Sequence, residues 1–331
     1  MVSPWPGQYK NSVSANLQIR FMENIIDIKD KKYPELLKKI KGAPKKLYYK
    51  GEWPFDSLDS AWDKPAQGKD DDIFRNCLAV VGSRHLTSYG RRMTELLVSE
   101  IAAAGITIVS GFMYGGDEAA HRATVEVGGR TIAVMPCGID LIHPEYQEEL
   151  YQKILDNNGL IISEFPGKSL PLNWMYAARN RIVAGLSKAV LIIEAGINSG
   201  TMITANYAKK FGRKIFAVPG PLTSEVSKGT AQLIKEGAKI VTEAKDVLDF
   251  YKTNFQFSIT NFQSKSKSQI PNSKMTTSLE QKIIGELKRE PLAADALAET
   301  LKVPVSKISA SLSLMQIKGF IKQEGDKYYV N

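Results

Sequence analysis

Seven short apolar runs recur along the chain: CLAVV (77–81), ITIVS (106–110), TIAVM (131–135), LIISE (160–164), AVLII (189–193), KIFAV (214–218) and KIVT (239–242). None alternates apolar with polar residues, so each reads as a strand buried on both faces. Helical patterns lie between them. In TSYGRRMTELLVSEIAAAG, Met93, Leu96, Leu97 and Ile101 fall on one helical face, and Gly105 takes the position just past the helix end. Strand–helix alternation of this kind folds as an α/β doubly wound, mainly parallel sheet with helices on both sides.

Residues 1–75 read as an N-terminal extension followed by a lead-in helix and strand, in YPELLKKIKGAPKKLYYKGEW, and then by a loop over 56–75. The sheet domain spans 76–251. Residues 252–278 are rich in Ser, Asn, Gln and Lys, contain no acid, and read as a flexible linker. From 279 to 331, three helical segments (LEQKIIGELKRE, LAADALAETLKV and VSKISASLSLMQIKG) precede FIKQEGDKYYV, two strands around Gly325–Asp326. That order makes a small C-terminal winged-helix domain with a helix-turn-helix.

The chain has 331 residues and a formal charge of +9, which raises nucleic acid as a partner. The excess is not in the sheet domain, where 18 basic residues face 17 acidic ones. A polyanion bound there needs a local cluster. No apolar run of 18 residues predicts a membrane span, and the N-terminus has no signal-peptide core; a cytoplasmic protein is expected. Cys77 and Cys137 fall in strands with no metal spacing, and only His85, His121 and His143 are present. No metal or other cofactor is expected.

Open parallel sheets bind ligands beyond the carboxyl ends of their strands. In VVGSRHLTSYG, Gly82 lets the chain turn closely, Ser83 and Arg84 follow, and Thr87 or Ser88 can cap the next helix. A helix N-terminus with free amides attracts anions, and a guanidinium adds a forked donor. The loop lacks both GxGxxG and GxxxxGK[ST], which excludes the usual dinucleotide and ATPase signatures. NSGTMITANYA repeats the geometry, with Ser199, Gly200 and Thr201 opening a helix after AVLIIEA. In NWMYAARNRIVAGLS, Arg179 and Arg181 point roughly 200° apart on a helix. One is positioned to meet a phosphate and the other to pair with Glu164 or Glu194; Arg179 is the candidate for the ligand. Trp174 and Tyr176 precede them, as core residues or as base-stacking rings. No GxSxG elbow is present. His121, with Glu118 on the same helix, is a candidate base, or a surface or dimer-contact residue.

GSRHLTSYG, SGF…GD-x-x-AH, TIAVMPCGID-x-x-HP, SEFPGKSLP, RNRIVAGLS, EA…SGTMITANYA and VPGPL…KGT…LI-x-x-GA stand in the order found in the DNA-processing protein A (DprA/Smf) family. The resemblance covers about 33–251 without a break and, more weakly, 279–331. It implies an extended Rossmann-like domain of the SLOG type with a C-terminal winged helix. It also implies a homodimer without enzymatic activity that binds single-stranded DNA and loads a RecA-type recombinase on incoming DNA during natural transformation. A nucleotide- or phosphoribosyl-binding enzyme or sensor of the SLOG type is the alternative. Carried over by position, the DNA site comprises Gly82, Ser83, Arg84, Tyr89, Gly90, Ser110, Gly111, Tyr176, Arg179, Asn180, Arg181, Ser199, Gly200 and Thr201. The sequence departs from the family pattern at Tyr114, where a basic residue is usual, at Gly116, where an aliphatic one is, and at Ala177 in place of proline. About 25 unpatterned residues stand where many members have a helical domain.

Overall fold

The computed structural model describes residues 24–53, 72–251 and 278–330. They fall into two compact units, divided between Asn254 and Phe255. The expected linker and most of the expected 56–75 loop lie outside the described residues.

All seven apolar runs are strands of one sheet in the first unit: β3 (Cys77–Val81), β4 (Thr107–Gly111), β5 (Thr131–Gly138), β6 (Leu160–Phe165), β7 (Ala189–Ile192), β8 (Lys214–Ala217) and β9 (Lys239–Ile240). They pair in parallel. Two strands precede them, β1 (Ile25–Asp27) and β2 (Lys46–Lys50), and β2 pairs antiparallel with β6. The full order is β1-β2-β6-β5-β4-β3-β7-β8-β9. β1 has only three residues and carried no periodic signal.

Among the described residues, eight α-helices accompany the sheet: α1 (Glu35–Lys38), α2 (Ser88–Ala103), α3 (Gly116–Glu126), α4 (Glu148–Asp156), α5 (Asn173–Leu186), α6 (Gly200–Lys210), α7 (Lys228–Lys235) and α8 (Lys245–Tyr251). The two sheet faces bury separate cores. Ala79 and Val81 point toward α1, α5 and α6, with Leu37, Ile182 and Ala205. Leu78 and Val80 point the other way, toward Leu97 and Ile101 of α2 and Ala120 of α3. Covering on both faces is why the first six runs do not alternate; β9, at the sheet edge, instead leaves Lys239 and Ile240 exposed, against the expectation of a strand buried on both faces. At about 25 cal/mol per Å² of apolar surface removed from water, these layers are the main stabilising term.

The second unit contains α9 (Ser278–Arg289), β10 (Leu292–Ala293), α10 (Ala294–Leu301), α11 (Val305–Ile317), β11 (Ile321–Glu324) and β12 (Lys327–Val330). β11 and β12 form the antiparallel wing around Gly325, and Ile283, Leu297, Ile308 and Leu312 pack at its centre.

Candidate functional site

The sheet is wound in two directions from β3. The chain adds β4, β5 and β6 on one side, and α5 then returns it to β7 on the other. The tips of β3, β4 and β7 therefore border a crevice at the topological switch point. A cleft of about 350 Å³ lies there. Gly82, Ser83 and Arg84 line one wall, Tyr114 and Asp117 another, Tyr176, Arg179 and Asn180 of α5 a third, and Ser199, Gly200 and Thr201 the fourth. Sequence separations above 100 residues vanish because every wall is a strand tip or the crossover helix.

The loops touch backbone to backbone. A Cβ on Gly116 would lie 2.5 Å from the Gly82 Cα, and the Gly116 amide donates to the Ser83 carbonyl at 3.0 Å. This contact gives the departure at 116 a local reason: no side chain fits under the 82–84 turn. Thr201 Oγ1 donates to the Gly82 carbonyl at 2.9 Å and ties the third tip to the first.

Arg179 forms the floor. It is only 4% exposed, and its guanidinium lies 3.7 Å from Asp117 Oδ2, longer than a hydrogen bond. Its Nε has no partner among the described residues. Burial lowers the Arg179 pKa, and Asp117 opposes that. Burial raises the Asp117 pKa, and Arg179 and the Ser110 hydroxyl oppose that in turn. Both shifts disfavour the charged forms, so the pair does not repay its own desolvation. The site holds a cation short of hydrogen-bond acceptors.

Gly111 makes room for it. A Cβ there would lie 1.5 Å from Arg179 Nη1 and 2.2 Å from Asp117 Oδ2. The Gly111 carbonyl is in turn held by His121 Nε2 at 2.6 Å, while His121 Nδ1 meets Thr131 Oγ1 at 2.8 Å. Burial pushes the His121 pKa down to about 4. The ring is therefore neutral at pH 7, with Nε2–H donating to the Gly111 carbonyl, while the Thr131 hydroxyl beside Nδ1 donates to the Ile108 carbonyl at 2.8 Å. His121 is buried, neither a surface residue nor a base facing the cleft.

The two helix N-termini differ. At α2, Thr87 accepts from the Gly90 amide at 3.1 Å, while the buried Glu194 carboxylate accepts from the Thr87 amide at 2.9 Å and from its hydroxyl at 2.5 Å. An internal anion already occupies the end that the sequence offered to a phosphate. At α6, Ser199 makes no capping bond, and its buried Oγ has no partner among the described residues. This end keeps its donors for a ligand.

Arg84 is exposed and has no ion-pair partner among the described residues. Its guanidinium carbon lies 5.8 Å from the Tyr114 ring centroid and 5.2 Å from that of Tyr176. His143 Nε2 meets the Tyr176 hydroxyl at 2.8 Å and fixes that ring. Trp174 is not a core residue: it is 57% exposed and packs edge-on against Phe165.

Five of the residues expected in the site lie outside the cleft lining, each for a structural reason. The Tyr89 hydroxyl donates to the Pro219 carbonyl at 2.6 Å. Gly90 faces Glu194, where a Cβ would meet the carboxylate at 2.5 Å. Ser110 lies beneath the floor, 2.7 Å from the Val80 carbonyl and 3.1 Å from Asp117 Oδ1. Gly111 is covered by Arg179. Arg181 points away, pairing with Glu164 at 2.6 Å and donating to the Gly42 carbonyl at 2.8 Å. Asp117 was missed as a wall of the cleft, although it stands in the quoted GD-x-x-AH motif after β4.

These strand tips sit inside a stretch matched by a family model. Residues 66–252 match the model of DNA recombination-mediator protein A, and residues 267–327 match the DprA winged helix domain. The chain belongs to the DNA recombination-mediator protein A family. It is 32% identical to Protein Smf of Synechocystis sp., over 91% of this chain and 78% of that one. Protein Smf of Escherichia coli is 44% identical over a shorter stretch, 43% of its own length. Among solved structures, DNA processing protein A of Streptococcus pneumoniae superposes with a TM-score of 0.61 at 36% identity, over 69% of this chain and 74% of that one. DNA processing protein A of Helicobacter pylori, whose structure was described for its single-stranded DNA binding mode, gives 0.57 at 29% identity, over 70% and 96%. The Rossmann-like sheet and the winged helix of this chain are those of the family. No helix among the described residues is long and apolar enough to cross a membrane.

Proposed function

We propose that the cleft binds the backbone of single-stranded DNA and that the protein acts as a non-enzymatic recombination mediator. In this role it works as a homodimer that hands the strand to a RecA-type recombinase during natural transformation, in the cytoplasm. The observation that carries the reading is the set of unsatisfied donors around one small space. Arg179 and Ser199 line it, with Nε and Oγ buried beneath its surface and unpartnered among the described residues, α6 begins in its wall, Arg84 stands at the rim, and Asp117, the one carboxylate among the lining residues, already faces Arg179. A phosphate diester is an acceptor of matching charge. Tyr114 and Tyr176 supply ring faces at the mouth, and base–aromatic stacking is sequence-tolerant. The cleft volume suits one nucleotide unit rather than a duplex, whose major groove alone is about 12 Å wide. The Helicobacter pylori relative supports the same ligand class.

The test is fluorescence anisotropy with labelled oligo-dT across a salt series. Binding weakens as salt rises, and Arg84→Ala lowers affinity about tenfold or more, with a salt slope shallower by roughly 0.7. An Arg84→Ala isotherm superposing on the parent removes the cleft assignment. Release of free base from nucleoside monophosphates would favour the enzyme reading instead.

A further inference from the structure

A second basic groove lies at the opposite end of α6. Its volume is about 710 Å³, and it is lined by Lys39 and Lys41 from the segment after α1, by Lys210 and Arg213 from the end of α6, and by Tyr207 and Phe211. No acidic residue lines it. Tyr207 and Phe211 stack with centroids 5.7 Å apart at 22°, and the Lys210 ammonium lies 5.8 Å from the Tyr207 centroid.

Some lysines elsewhere on this unit find carboxylates: Lys50 pairs with Asp140, Lys153 with Glu149, Lys209 with Glu236, Lys228 with Glu225 and Lys245 with Asp249. Lys39, Lys41 and Lys210 have no such partner among the described residues. The α6 dipole alone favours a cation at its C-terminal end, which accounts for Lys210. It does not account for Lys39 and Lys41, which come from the other wall. Between residues 24 and 53 there are nine lysines against four acids. A concave surface with unpaired cations on both walls and stacked aromatic rings is complementary to a flexible polyanion that carries its own flat faces.

We propose that this groove is a second contact for the same single-stranded DNA, with phosphates on Lys39, Lys41 and Lys210 and a base against the Tyr207–Phe211 pair. The inference rests on the cleft reading, since the strand reaches the groove from the cleft. α6 joins the two: its first residues line the cleft and its last line the groove. Eleven helical residues span about 16 Å, farther than one nucleotide of an extended single strand can reach. A short oligonucleotide occupies the cleft alone, and a longer one reaches both.

The experiment uses the full chain carrying Lys39→Gln, Lys41→Gln and Lys210→Gln together, with labelled dT2 and dT20 between 50 and 200 mM salt. All three side chains are exposed, so the fold is retained. The expected result is unchanged dT2 binding and a dT20 salt slope shallower by about 2. Over that fourfold rise in salt, the parent then loses about 16-fold more dT20 affinity than the variant does. Unchanged dT20 binding and slope would overturn the proposal and leave an acidic protein segment as the groove's occupant. Equal losses for dT2 and dT20 would overturn it too, because the substitutions would then act on the cleft. Arg84→Ala reads the cleft separately: it weakens both lengths, and if it does not, the cleft reading fails whatever the groove variant does.

Discussion

Asp117→Asn separates two roles for the carboxylate beside Arg179. Among the described residues it is the one anion paired with that guanidinium, at 3.7 Å. At an effective dielectric of about 20, such a pair attracts by about 4 kcal/mol. An incoming phosphate must share or replace this attraction and also suffers repulsion from the carboxylate. Asparagine keeps the shape and the contact with Ser110 but removes the charge. Recovery of a third of the pair energy, about 1.4 kcal/mol, tightens oligo-dT binding tenfold. The free protein does not lose stability by it, because the raised Asp117 pKa means that the fold favours the neutral form of this group. Bound dT20 consequently raises the melting temperature more in the variant than in the parent. Acid reproduces the effect in the parent, since the raised Asp117 pKa lets the carboxyl take up a proton as pH falls, and Asp117→Asn abolishes that dependence. Anisotropy with dT20 at several pH values, alongside thermal melts, reads both quantities. Weaker dT20 binding by a folded Asp117→Asn protein would refute the reasoning and make Asp117 the residue that aims Arg179.

Gly111→Ala places a methyl group where the Arg179 guanidinium now lies. It costs about 1–3 kcal/mol of stability, as overpacking does, and lowers dT20 affinity to the level of Arg179→Met; urea melts and anisotropy check the two effects. His121, held near pKa 4, takes up its proton less readily in the folded state than in the unfolded one. Stability therefore falls as pH drops from 6.5 toward 4, by up to about 3 kcal/mol, and His121→Gln flattens that limb in denaturant titrations. Asp117 works in the opposite sense: its contribution is complete below its ordinary pKa and is lost as pH rises through the raised one.

Local signals carried the elements of this fold, and long-range ones carried the chemistry of the cleft. The six inner apolar runs became strands because burial on both faces leaves a direct mark on the sequence; the seventh, β9, is an exposed edge strand. Thr87 could be read as a cap because its partner, the Gly90 amide, is three residues away. The opposition of Arg179 and Arg181 followed from helical geometry, and Arg181 did take Glu164. Nothing local announces that Glu194, 107 residues from Thr87, fills the end of α2. Nor does any periodicity show that Asp117 and His121, which share α3, serve Arg179 and Gly111 from beneath the cleft.

That division accounts for which anion site stayed open. Two strand tips offered similar glycine-bearing turns leading into helices. Parallel winding set the last residues of β7 beside the first turn of α2, so a carboxylate at 194 closes one helix end from within. The same pairing leaves the next turn, at Ser199, with no acid of its own, so its hydroxyl stays unpartnered beside an under-satisfied arginine. Removing the acid would erase the preference: with glutamine at 194, α2 would lose its internal anion and both helix ends would be open. A site of this kind is specified less by the motifs that announce it than by where the sheet order allows a carboxylate to reach.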